Sequence, residues 1–128
     1  MAYNINLGSN ASATIDNATY GINQSNAYTV SSSNAIQQNT TVTSLAWTQL
    51  SLGALSNVAF VQIKNDITVN SSSVLLVATG STGGNQIAAI FPGMVPALIP
   101  WSGSFNGLYA TAAGGFGTAS LIYYAQQA

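Results

Sequence analysis

The chain has no cysteine, histidine, glutamate or arginine, and its only charged side chains are Asp16, Lys64 and Asp66. Each absence removes a class of chemistry. Without cysteine there is neither a disulfide nor a thiol nucleophile. A structural zinc site needs Cys or His ligands in numbers this chain does not have. General acid–base catalysis draws mainly on His, Glu, Asp and Lys, so the three charges and the tyrosines would have to carry all of it. A Ser or Thr nucleophile would lack a conventional base unless Lys64 were buried with a depressed pKa. One lysine cannot neutralise a row of phosphates, which excludes nucleic acid as a partner. The sequence therefore predicts a protein that is not an enzyme and holds no cofactor or metal.

Long apolar runs are also missing. The longest candidate, IAAIFPGMVPALIPW from Ile87 to Trp101, is interrupted by Pro92, Pro96 and Pro100. It falls short of the roughly 20 apolar residues of a membrane span, so no membrane partner is expected. No basic segment followed by an apolar one opens the chain, and no secretory leader is expected. Five Asn-x-Ser/Thr sequons, at Asn10, Asn17, Asn23, Asn39 and Asn70, are read as chance in a chain so rich in those residues.

What remains is 128 residues, 48% apolar and 2% charged, against about 25% charged in an ordinary soluble domain. Ser, Thr, Asn, Gln and the backbone supply the polarity. The length favours one domain, and apolar content without charge argues against disorder. Near-zero net charge leaves little repulsion to oppose self-association. That suits a subunit packed against copies of itself through contacts indifferent to salt.

Along the chain, residues 1–40 are sparse, with Ile5, Leu7, Ile15, Tyr20, Ile22, Tyr28, Val30 and Ile36 spaced by Asn, Ser and Thr. Those polar side chains compete for backbone hydrogen bonds and disfavour helix. Additional strands, or an extended arm laid across a neighbour, both fit. From residue 41 the strand pattern sharpens. Leu45 and Trp47 against Leu50 and Leu52 predict a bend near Gln49. NVAFVQIKN is apolar on both faces and reads as a central strand buried on two sides. VLLVATG, IAAIF, GLYATAAGG and ASLIYYAQQ read as further strands, separated by turn signals at NSSS, GSTGG, PGM and GGFG. VPALIPW carries enough proline to demand an edge position. Strands at this spacing predict an all-β fold, an antiparallel, jelly-roll-like β-sandwich over 41–128, with a polar amino-terminal arm or extra strands before it.

Two of the three charges fall in one stretch, FVQIKNDITV. In a straight strand Lys64 and Asp66 would share a face. The favoured reading is a turn at Asn65 and Asp66 that ends the strand, with Asp66 bonding local backbone. A Ca²⁺ ion at Asn65/Asp66 or Asp16/Asn17 would lack a clustered acidic ligand loop. Among the aromatics, Trp47 and Phe60 are expected in the core, Trp101 at an interface, and Tyr123 and Tyr124 on opposite faces of one strand.

Four stretches taken together, WTQLSLGALSNVAFVQIKN, VLLVATG, IFPGMVPALIPW and GLYATAAGGFGTASLIYYAQ, resemble small β-sandwich virion proteins of tailed bacteriophages. These are capsid decoration (cement) proteins and related fibre knob domains, and the likeness covers roughly residues 45 to 126. It implies a homo-oligomer, a trimer by expectation, on the outer capsid surface, with the major capsid protein as partner. It also implies an interface at Phe91, Pro92, Met94 and Val95 of the Pro-Gly turn, and at Pro96, Leu98, Ile99, Pro100 and Trp101 beyond it. A fibre tip that recognises glycan, with aromatics exposed among Asn and Gln, is the alternative. A self-assembling fibre or surface subunit is the third.

Overall fold

The structure is a computed structural model that describes residues 2–66, 73–81, 85–103, 105–113 and 117–128. The turns predicted at NSSS, GSTGG and GGFG lie wholly or mostly outside the described residues. The chain divides into two units, one up to Ser33 and one from Asn34 to Gln127.

The first unit is a hairpin. Strands β1 (Tyr3–Ile15) and β2 (Ala18–Val30) pair antiparallel in an unbroken register from Tyr3↔Val30 to Ile15↔Ala18. Asp16 and Asn17 join them with φ of 52° and 67°. Two positive φ values in a two-residue loop define a type I′ turn, whose twist matches that of the strands it links. Asp and Asn tolerate this conformation better than other side-chain-bearing residues. The amino-terminal segment is thus strand from Tyr3 to Val30, interrupted only by the turn.

In the second unit, eight strands among the described residues form an antiparallel sandwich. Its strands are β3 (Ala35–Thr43), β4 (Thr48–Leu50), β5 (Val58–Asn65), β6 (Val74–Ala78), β7 (Gln86–Ile90), β8 (Ala97–Pro100), β9 (Leu108–Ala113) and β10 (Thr118–Gln127). One sheet has the order β3-β10-β5-β8 and the other β4-β9-β6-β7. The first strand of the sandwich thus pairs with its last, the second with the seventh, the third with the sixth, and the fourth with the fifth. That nesting is a long hairpin rolled up on itself, the jelly roll. Because β3 begins at Ala35, residues 35–40 belong to the sandwich rather than to the polar segment.

The core lies between the two sheets. Val42, Val61, Ile63, Leu121, Tyr123 and Ala125 project from one, and Leu50, Leu75, Val77, Ile90, Leu108 and Ala110 from the other. Each fully buried Val, Leu or Ile contributes about 1.5–3 kcal/mol relative to exposure. The predicted bend falls between β3 and β4, earlier than Gln49, and leaves Leu45 exposed in the connection.

One expectation for β5 needs correction. The strand is central, but it is buried on both faces only in its first half: Val61, Ile63 and Asn65 are buried on the inner face, whereas Gln62 and Lys64 on the outer face meet solvent. Phe60 is buried on the outer side of that alternation, its ring 5.5 Å from that of Tyr124. Phe60 is thus buried with the core residues, as expected, although outside the inter-sheet cluster, whereas Trp47 is only half-buried.

Asn65 is no turn residue. It ends β5 inside the sandwich, where its Nδ2 donates to the Ser73 carbonyl at 3.0 Å and the Ile90 carbonyl at 2.8 Å. One amide group therefore ties β5 of one sheet to the start of β6 and the end of β7 in the other. The ladder continues past it, since the Asp66 N–H donates to the Ser120 carbonyl at 2.9 Å.

Tyr123 and Tyr124 do occupy opposite faces of β10. The buried Tyr123 hydroxyl lies 2.8 Å from Gln38 Oε1 and 2.7 Å from the Ser51 carbonyl, both acceptors. Burial pushes its pKa above the usual tyrosine value, and desolvation does the same for Tyr124.

Two outcomes follow from this packing. Asn65→Ala strands two buried carbonyls and is expected to cost about 2–4 kcal/mol, read as a lowered urea midpoint at unchanged slope. Both tyrosines keep their protons in the fold to higher pH than in the unfolded chain, where they ionise near pH 10. Their contribution is therefore full below about pH 10 and lost as pH rises through the raised folded-state values. Denaturant titrations should show stability falling above that pH, and less steeply in Tyr123→Phe.

Candidate interaction surface

The β7–β8 connection is a preformed apolar surface. β7 ends at the buried Ile90, and the next four residues, FPGM, make a tight turn: the Met94 N–H donates to the Phe91 carbonyl at 3.1 Å. Pro92 stands at the second position and Gly93, with φ of 82°, at the third. This is a type II turn, which favours proline and glycine at those two places. Met94 Sδ also accepts from the Phe91 N–H at 3.2 Å. The turn holds Phe91, Met94 and Val95 out in solvent at 54%, 52% and 70% exposure.

Beyond the turn, strand alternation sorts the remaining predicted interface residues. Pro96, Leu98 and Pro100 are exposed, whereas Ile99 and Trp101 pack against the core. Trp101 also meets Phe105 edge-on, with ring centroids 5.0 Å apart at 90°. Of the nine predicted positions, then, Ile99 and Trp101 support the surface from beneath, Pro92 is half-buried, and the others form the surface itself.

β8 is an edge strand, as its prolines require. Their placement is specific. The Trp101 N–H donates to the Ala59 carbonyl of β5, so the main-chain groups of residues 97, 99 and 101 point into the sheet. Those of Pro96, Leu98 and Pro100 point away from it. Both prolines sit where an amide would face outward, and Leu98 alone offers one. The edge is closed to strand addition while its apolar side chains stay available.

A second feature lies on the outer face of the same sheet. Gln37, Gln62, Lys64, Pro96, Ile122 and Tyr124 line an open depression of about 240 Å³. The Tyr124 hydroxyl donates to Gln126 Oε1 at 2.6 Å, and Gln126 Nε2 donates to the Asn34 carbonyl at 3.2 Å. An aromatic ring is thereby held among amides with one cation nearby. Another depression, of about 310 Å³, lies along β4 and is lined by Gln49, Ser51, Leu52 and Gly107 among others, all uncharged.

The three charges take up separate structural duties. Asp16 belongs to the type I′ turn, Lys64 to the wall of the outer-face depression, and Asp66 to the continuation of the β5 ladder. Sequence reasoning missed Asn65 because an Asn beside an Asp at a strand end reads as a turn. It also weighted Trp101 as a contact residue, whereas Trp101 packs against the core and the half-buried Tyr124 lines the outer-face depression beside Gln37 and Gln62.

Comparison with protein-family models, curated proteins and solved structures found no match. The class is thus defined by the fold and the surface: a jelly-roll sandwich with one preformed, uncharged apolar edge.

The proline arrangement has a testable consequence. Pro96→Ala/Pro100→Ala restores two outward amides to an apolar edge. The double variant should keep the fold yet aggregate faster than the parent at equal concentration, followed by light scattering. Equal rates would show that the prolines do not guard this edge.

Proposed function

We propose that this chain is a structural virion protein, a decoration or cement subunit that stabilises a bacteriophage head by non-covalent contacts to the major capsid protein. The observation that carries the reading is the apolar surface at Phe91, Met94, Val95, Leu98 and the exposed prolines, shaped by the type II turn. A surface ordered in advance loses little conformational entropy on docking. Exposed apolar side chains grouped in this way mark interaction sites more often than idle surface. The jelly-roll order supports the reading too, since that fold is common among viral capsid and lectin domains. With three charges in the chain, attachment would rest on shape and neutral contacts, and many weak sites on one lattice would add up to tight binding.

A second reading has its own observation. The ring of Tyr124 among Gln37, Gln62 and Gln126 is a chemistry that suits a polyhydroxylated ligand, as on a receptor-binding fibre tip.

One pair of variants separates the two. Val95→Asp/Met94→Asp puts charge on the apolar turn and should lower binding to purified expanded capsids lacking the protein by more than tenfold, with Tyr124→Ala near wild type. Glycan binding that survives the turn variant and is lost in Tyr124→Ala, with no capsid binding by the parent, would replace the cement reading with the fibre-tip one.

A further inference from the structure

Asn106 and Gly107 form the only Asn-Gly pair in the chain. They sit in the connection between β8 and β9, directly before Leu108, where β9 begins. Gly107 has φ of 116°, a conformation that L side chains rarely adopt. A Cβ there would also lie 3.3 Å from Tyr109 Cε2 and 3.6 Å from Gln49 Nε2. The entry into β9 therefore calls for glycine on conformational and steric grounds together.

That requirement has a chemical consequence for the residue before it. A backbone nitrogen can attack the side-chain carbonyl carbon of a preceding asparagine and close a succinimide ring. The attack is least hindered when the nitrogen belongs to glycine, which has no Cβ beside it. A fold suppresses the reaction by burying the asparagine, or by holding the nitrogen or the amide in hydrogen bonds that must first open. Neither protection operates at this pair. Asn106 is exposed. Among the described residues, its side chain and the Gly107 N–H have no hydrogen-bond partner. Other asparagines differ on these counts. Asn65 is buried with its Nδ2 bonded to two carbonyls. Asn10 lies within the β1–β2 ladder. Asn17 is exposed at a turn, but it precedes Ala18, whose Cβ shields the nitrogen.

We propose that Asn106 is a self-modification site. The Gly107 nitrogen, after giving its proton to solvent, bonds to Asn106 Cγ. The Cγ–Nδ2 bond breaks, and ammonia leaves with a proton taken from solvent. Water then opens the succinimide at either carbonyl, leaving aspartate or isoaspartate. One water is consumed, one ammonia is released and one carboxyl is gained, with nothing oxidised or reduced. Once ionised, that carboxyl takes the net charge from −1 to −2. The new charge adjoins Gly107, which lines the uncharged depression along β4. An isoaspartate also lengthens the backbone between β9 and Phe105, whose ring meets Trp101 edge-on.

The inference does not depend on capsid or glycan binding. It is tested by holding the purified full chain at mildly alkaline and mildly acidic pH, followed by isoelectric focusing and intact mass. One acidic form should accumulate, faster at the alkaline pH because the attacking nitrogen must lose its proton. Peptide mapping should place the change at Asn106 as a mixture of aspartate and isoaspartate. Asn106→Gln, whose side chain would have to close a larger ring, should lose that form. Asn106→Asp should focus with it from the outset. The native chain should react within about tenfold of the urea-unfolded one, because the fold neither buries nor bonds the pair. A parent that stays a single band overturns the proposal, as does an acidic form that persists in Asn106→Gln. Aspartate without isoaspartate would mean direct hydrolysis of the amide and would overturn the ring. Much stronger protection in the native chain would show that the fold shields the pair, and overturns the proposal as well.

Discussion

Main-chain hydrogen bonding is the constraint on which everything else in this protein rests. With Asp16, Lys64 and Asp66 as the whole stock of charge, ion pairs cannot organise the surface, set strand register or keep copies apart. Register is fixed by the two-residue alternation of apolar side chains, since a slip of one residue would turn each core side chain to solvent. Side-chain polarity enters where the ladders run out. Asn65 bonds two carbonyls across the sheets, and Thr111 Oγ1 donates to the Thr43 carbonyl at 2.8 Å beside the β3–β4 connection. In both places a neutral group joins elements that the ladders do not. Such bonds are insensitive to salt, and neither the amide nor the hydroxyl titrates near neutral pH.

The same constraint explains how the edges differ. A charged protein commonly discourages edge pairing with an inward or flanking lysine. Here the means at hand are proline and conformation. β8 uses Pro96 and Pro100 at the outward amides and so turns a strand edge into a side-chain surface. The hairpin has no such protection along β1 or β2. The other sandwich edges, β3, β4 and β7, carry no proline either, so among the described edge strands the proline guard belongs to β8 alone.

Much of the sandwich was legible in the sequence because the relevant signals are local. VLLVATG, IAAIF, GLYATAAGG and ASLIYYAQQ each fell on a strand, and the proline content of VPALIPW placed it at an edge. The opposed faces of Tyr123 and Tyr124 followed from period two alone. What was not legible depends on the partner strand. Whether the outer face of β5 is covered is decided by what lies above that face, and Gln62 and Lys64 were the only local hints. Asn65 looked like a turn former because its two acceptors, at Ser73 and Ile90, are distant in sequence. The Phe91–Pro100 segment was recognisable as apolar, but its division into outward Leu98 and inward Ile99 and Trp101 required the direction of the β5–β8 ladder. The hairpin had a visible alternation, yet Ser, Thr and Asn between isolated apolar residues fit an arm as well as a strand until Asp16 and Asn17 are seen as a type I′ turn.

The β7–β8 surface and the hairpin differ along physical lines. The β7–β8 surface is short, shaped by its type II turn and closed to backbone pairing by Pro96 and Pro100, so what it offers is side-chain shape at Phe91, Met94 and Val95. The hairpin strands pair with each other and with no further described strand, so what they offer is backbone. With three charged side chains in the whole chain, neither feature owes its character to ion pairs, and neither is altered by salt.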